Sequence, residues 1–222
     1  GWQVRVVAVD DVFSTFSFGI FDPEAIRDYI THAVESMGTR AVLLVGGDTF
    51  DYLDNLGVGS LSFVPTLYTN TGSGATFTPT DALLADADGD LIPDVAIGRL
   101  PVRTGAELAA VIAKTLAYET GGHSYTAVFA ADGDEPGTPF TATSLELVNG
   151  LPAEWHVTRA HIDESGTAGA RPALLGAIDQ GVALTSFIGH SGPNVWTFDG
   201  LFDTEDVGLL ANEGMPPVVS QW

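Results

Sequence analysis

Cysteine is absent from the 222 residues, and lysine occurs once, as Lys114. The first absence excludes a disulfide framework, thiolate metal sites and, within these residues, a thiol nucleophile. Bases as a whole are few: eight Lys and Arg stand against 29 Asp and Glu, for a formal net charge of −21. So negative a surface repels phosphate backbones and anionic lipid, which excludes nucleic acid and membrane surfaces as partners. No apolar run reaches the roughly 18 residues of a membrane-spanning helix. Charged residues make up only 17% of the chain and hydrophobic ones 45%, so it is no disordered acidic tract and has the apolar content for a core. A surface this acidic and this poor in lysine suits a secreted or salt-exposed protein; a solvated acidic surface with no partner meaning is the plainer alternative. The chain opens on Gly1-Trp2 with no signal peptide, as expected of a processed or truncated piece of something longer.

What is present is an alternation of β-branched runs with helical periods, the pattern of a parallel α/β sheet. Gln3–Val9 (QVRVVAV) reads as a strand. Asp22-Pro23-Glu24 opens a helix whose apolar residues recur to Met37, and Gly38 stops it. Ala41–Val45 (AVLLV) is a continuous apolar strand of the kind buried on both faces. Thr69–Thr80 is a polar surface loop, Asp94–Ile97 a strand, and Thr104 with Glu107 a capping box for a helix reaching Glu119. Further strands are expected at Tyr125–Ala130, Trp155–His161, Val182–Ile188 and Pro217–Ser220. Helices are expected near 140–149, 170–180 and 204–212. Gly121-Gly122 suggests a division into lobes at 1–118 and 119–222. These carry 15 acids with 6 bases and 14 acids with 2 bases, so neither is a dedicated acidic tail.

His190 is the sharpest chemical candidate. It follows the most hydrophobic strand, in a Gly189-His190-Ser191-Gly192-Pro193 turn, and groups at the carboxyl ends of strands face the ligand crevice of an open α/β sheet. A capping or turn histidine is the competing reading. His32, His123, His156 and His161 read as structural residues on helix, loop or strand. Asp86, Asp88, Asp90 and Asp94 form an Asp-rich turn able to wrap a calcium ion in oxygen ligands. It is not an EF-hand, and a turn that only caps the next strand is the alternative. Asp132 and Asp134 follow a strand end and are candidates for a pocket that takes a basic side chain, against a plain Asp-Gly turn. Trp196 is a candidate pocket wall. Gly46-Gly47-Asp48 lacks the rest of a dinucleotide or phosphate-loop fingerprint, so no nucleotide or organic cofactor is expected.

Taken in order, VVAVDDVFSTFSFGIFDPEAIRD from Val6, LLVGGD from Leu43, DGDLIPDVAIGRLPVRT from Asp88, Ala117-Tyr118-Glu119 and FIGHSG from Phe187 resemble the gingipain-like cysteine peptidases. The resemblance runs over nearly the whole chain. It implies a caspase-like three-layer α/β/α sandwich with a mostly parallel sheet in two lobes, secretion or surface display, and cleavage of a protein or peptide substrate by a Cys–His dyad. On that resemblance His190 is the general acid/base and the backbone N–H of Ser191 helps form the oxyanion hole, although the family's turn reads Gly-His-Gly. The Asp132–Asp134 loop matches the region that shapes the first specificity pocket. The family's nucleophile is a Cys just beyond the strand near Pro217–Trp222, and a strand and helix normally precede the segment that begins at Gly1. The expectation is therefore a piece whose missing partners are segments of the same polypeptide. Two readings follow: the core of a secreted cysteine endopeptidase, or a non-catalytic, calcium-stabilised extracellular binding or structural module.

Overall fold

The computed structural model describes residues 1–72, 76–122 and 124–222, so His123 lies outside the described residues. It comprises two compact units, Gly1–Val111 and Ile112–Trp222. The first unit carries α1 (Val9–Phe16), α2 (Pro23–Met37), β1 (Ala41–Val45), β2 (Leu67–Thr69), β3 (Thr78–Thr80), β4 (Ala96–Leu100) and the start of α3 (Gly105–Thr120). β1 and β4 pair in parallel, and β2 and β3 form a small antiparallel ribbon that brackets the Thr69–Thr80 stretch expected to be loop and takes in its two ends. α2 has the ends its sequence specifies. The Asp22 carboxylate accepts from Glu24 N at 3.0 Å, and Gly38 turns the chain at φ 67°. Phe13, Ile26, Ile30, Leu44, Leu84 and Val95 form the core of this unit.

Two expectations in this unit are corrected. Residues 1–8 are not a strand, and helix begins at Val9. A strand needs a ladder partner, and among the described residues this segment has none; Val4 and Val6 point into solvent. Val9, Val12, Phe13 and Phe16, by contrast, fall on one helical face that packs on α2. Nor is β1 buried on both faces. Val42 and Leu44 face the core, while Leu43 and Val45 on the other face are exposed, because α1 and α2 supply an apolar layer to one face only. Arg99 on β4 is the polar anchor of the unit. Its guanidinium pairs with both oxygens of Asp81 and donates to the carbonyls of Gly46 and Val64.

The second unit carries β5 (Thr126–Ala131), α4 (Phe140–Asn149), β6 (His156–His161), α5 (Ile162–Asp179, interrupted at Gly166), β7 (Leu184–Ile188), β8 (Val195–Trp196), β9 (Phe202–Asp203), α6 (Thr204–Val207) and β10 (Val218–Gln221). Its main sheet is parallel, in the order β10-β7-β5-β6. β5 is buried along Ala127–Ala131, as a strand covered on both faces must be. Phe187, Leu174, Val128 and Leu201 are the large side chains at the centre of the core. The order of strands matters most. After β5 the chain adds β6 on one side and then crosses to place β7 on the other, so the switch in winding lies between β5 and β7. Crevices at such a switch, beyond the carboxyl ends of the strands, are where parallel sheets bind ligands.

Candidate active site

Two residues meet at that crevice because each directly follows one of the two strands. Asp132 comes after Ala131 of β5, and Gly189-His190 comes after Ile188 of β7; Asp132 N donates to Ile188 O at 3.0 Å. Gly189 sits at φ +153°, and a Cβ there would lie 2.4 Å from Asp132 Cβ. Only glycine allows so close an approach. Asp132, nearly buried, turns its Oδ2 to both the backbone N and the ring Nδ1 of His190, each at 3.2 Å, while its Oδ1 accepts from Gly133 N at 2.9 Å. A carboxylate on Nδ1 holds the proton there and leaves Nε2 as the working nitrogen of the ring. Phe140 meets the imidazole edge-on at 5.2 Å, and exposed Phe198 lies at 5.7 Å.

The edge strand β10 runs beside β7 with Gln221 opposite Phe187. The pairing extends past the strand ends, since Trp222 N donates to Phe187 O at 3.0 Å and Gly189 N to Trp222 O at 3.4 Å. In this register Trp222 falls level with Ile188, two positions before His190.

The turn after His190 is closed by Gly192 N to Val195 O (2.8 Å) and Thr197 N to His190 O (2.9 Å). It brings Trp196 flat onto Phe187, with ring centroids 4.5 Å apart. The indole N–H donates to Gln221 Oε1 at 3.1 Å, and Gln221 Nε2 donates to Ser191 Oγ at 3.0 Å. Ser191, Pro193, Trp196, Phe202, Asp203 and Gln221 are among the residues that line a cleft of about 190 Å³.

Asp134 is engaged elsewhere. Its Oδ1 accepts from Thr141 N at 2.8 Å at the start of α4, and its own N donates to Asp163 Oδ2 at 2.9 Å. In the first unit, carboxylate oxygens of Asp86, Asp88 and Asp94 lie within 4.8 Å of one another. Asp90 is not in that group; its Oδ1 accepts from Ile92 N at 2.8 Å. The loop's shape comes from Asp86, which accepts from Gly89 N and Leu91 N.

Sequence reasoning left two contributions unread: Asp132 as the partner that orients His190, and Gln221 as the link between Trp196 and Ser191. The signal for Asp132 was its position straight after an apolar strand, matching that of His190. Gln221 left no signal, since its role exists only once β10 is beside β7.

His161, at the end of β6, is fully buried, with Nε2 3.0 Å from Ser144 Oγ and Nδ1 3.4 Å from Glu164 Oε1. Burial pushes its pKa below the ordinary 6.5, against the opposing pull of Glu164. A histidine kept neutral by the fold contributes full stability above the unfolded value, and that contribution falls as pH drops below it. Thermal unfolding is therefore expected at constant midpoint above about pH 7 and at falling midpoint below about pH 6.5. His161→Gln should flatten that acid arm relative to its own neutral-pH midpoint; an unchanged arm would show that other groups cause it.

Fold and site together define a class: a mixed α/β protein, mostly parallel in its sheets, with a carboxylate-held histidine at the switch point of the larger one. The pattern of Peptidase family C25 matches residues 1–222, and the chain belongs to that family, the gingipain family. Among solved structures it is similar to the complex of the Porphyromonas gingivalis RgpB pro- and mature domains, with a TM-score of 0.73 at 18% identity over 99% of this chain. The fold is thus the caspase-like one. The chain spans 48% of the length of that solved chain. No curated relative matches. Among the described residues, no helix is long and apolar enough to cross a membrane.

Proposed function

We propose that the polypeptide to which these residues belong is a secreted or surface-displayed cysteine endopeptidase, with His190 as its general acid/base and its thiol on the backbone that continues β10. The observation that supports this is the β7–β10 register: Trp222 falls level with Ile188, two positions before a histidine whose Nδ1 meets Asp132, so a strand running on from there would pass beside its ring. In the reaction, the thiolate attacks the scissile carbonyl carbon and His190 Nε2–H gives its proton to the departing amine, leaving a thioester. Water then attacks the thioester carbonyl while Nε2 takes its proton, and the C–S bond breaks to release the acid and restore the thiolate beside a protonated Nε2. The backbone N–H of Ser191 serves the oxyanion of both tetrahedral intermediates. Trp196 and the cleft beside it receive part of the substrate peptide.

The test uses the complete polypeptide on a fluorogenic peptide library. Hydrolysis is expected, and iodoacetamide should abolish it with one modified Cys mapped just past Trp222. Activity that survives full alkylation of that Cys, or an active polypeptide with no Cys there, would overturn the assignment.

The Asp86, Asp88 and Asp94 carboxylates suit calcium, which takes several hard oxygen ligands in an irregular shell. A calcium ion there would hold the loop before β4 as a structural brace. Millimolar calcium is then expected to raise the unfolding midpoint by several degrees, and EDTA to lower it. Asp88→Asn with Asp94→Asn should remove the calcium response; a response that persists places the ion elsewhere.

A further inference from the structure

Ser191 stands where the family resemblance expects glycine, and its side chain is the end of a hydrogen-bonded chain whose direction is fixed. Trp196 Nε1 can only donate, so the Gln221 atom it meets at 3.1 Å is the amide oxygen. The other end of the Gln221 amide is then NH₂, which donates to Ser191 Oγ at 3.0 Å. Ser191 Oγ therefore acts as an acceptor within the protein, and its own O–H has no other partner among the described contacts. The residue is exposed, directly follows His190, and lies on the wall of the cleft. Trp196, stacked on buried Phe187, makes the base of the chain rigid.

We propose that the Ser191 hydroxyl is a catalytic hydrogen-bond donor to the oxyanion, additional to the backbone N–H, and that Gln221 and Trp196 are the positioning residues that aim it. The proposal rests on the peptidase reading above. Accepting from the Gln221 amide polarises the hydroxyl and leaves its proton to be donated to another acceptor. No bond to Ser191 forms or breaks; it stabilises charge that develops on the carbonyl oxygen and is lost when the carbonyl re-forms.

The complete polypeptide and its variants are compared for kcat, KM and inhibition by a peptide aldehyde, whose thiol adduct mimics the tetrahedral intermediate. Ser191→Ala is expected to lower kcat by about 10²-fold with KM little changed, in line with the loss of one oxyanion donor. Aldehyde affinity should fall by a similar factor. Ser191→Thr, which keeps the hydroxyl, should recover most of the rate. Gln221→Met should lower kcat several-fold while the unfolding midpoint stays near wild type. An active wild type whose Ser191→Ala variant keeps its kcat and aldehyde affinity overturns this proposal alone. A wild type that hydrolyses no peptide overturns the peptidase reading and this proposal with it.

Discussion

Replacing His190 by Ala in the complete polypeptide is expected to lower kcat for peptide hydrolysis by 10³-fold or more, to about the level left by binding and oxyanion contacts alone. Asp132→Asn should give a smaller loss, about 10²- to 10⁴-fold, with little change in KM. The reasoning follows the geometry at the crevice. Asp132 Oδ2 meets both N and Nδ1 of His190 at 3.2 Å. An asparagine can fill the same space, but it offers one acceptor and one donor in place of two acceptors. If its NH₂ faces the ring, the Nδ1 proton is displaced to Nε2 and the working nitrogen carries the wrong proton. The side chain of His190 is 40% exposed, so His190→Ala opens little buried space and should leave the unfolding midpoint within a few degrees of wild type. A His190→Ala enzyme of near-normal kcat would remove His190 from the chemistry, and with it the reading of the crevice as an active site.

The second large effect is on the fold. Gly189→Ala is expected to destabilise the second unit by about 3–5 kcal/mol, a size seen only where a defined steric or strain mechanism operates. The added Cβ would lie 2.4 Å from Asp132 Cβ, 3.0 Å from Phe187 Cζ and 3.2 Å from Asp132 N. Asp132 N is tied to Ile188 O, and Phe187 is fully buried under Trp196, so neither neighbour has room to retreat. The φ of +153° adds strain for any L-residue with a side chain. Denaturant unfolding followed by Trp fluorescence would measure the loss. A Gly189→Ala variant of wild-type midpoint would mean that the Asp132–His190 approach is much looser than it stands here.

How far these features can be read in advance depends on whether their causes are local. α2 is legible because its start and stop lie within its own residues: Asp22, Pro23 and Gly38 act on backbone only a few positions away. β5 is legible for a related reason, since a strand buried on both faces reads as an apolar run, as Ala127–Ala131 does. Gln3–Val9 misleads because β-branched alternation states a capacity to pair, while a strand exists only where another edge is in reach. Ala41–Val45 misleads in the same way: an apolar run is compatible with two covered faces, and only the placement of α1 and α2 decides that one is left open. His190 could be singled out by its turn. Its pairing with Asp132 spans 58 positions and requires that β5 and β7 be neighbours, which no local pattern states.

The strand order carries a consequence for biosynthesis. Asp132, His190 and Trp222 come from three adjacent strands that leave the ribosome far apart in time, and β10, the last of them, is a short edge strand held through β7. Domains tend to consolidate as their residues emerge, so β5, β6 and β7 can pair while β10 is still being made. The free edge of β7 is then covered only at the end of translation of this region. During elongation the nascent chain can hold a histidine already oriented by Asp132 before four further residues, Val218–Gln221, dock onto a sheet that is already formed.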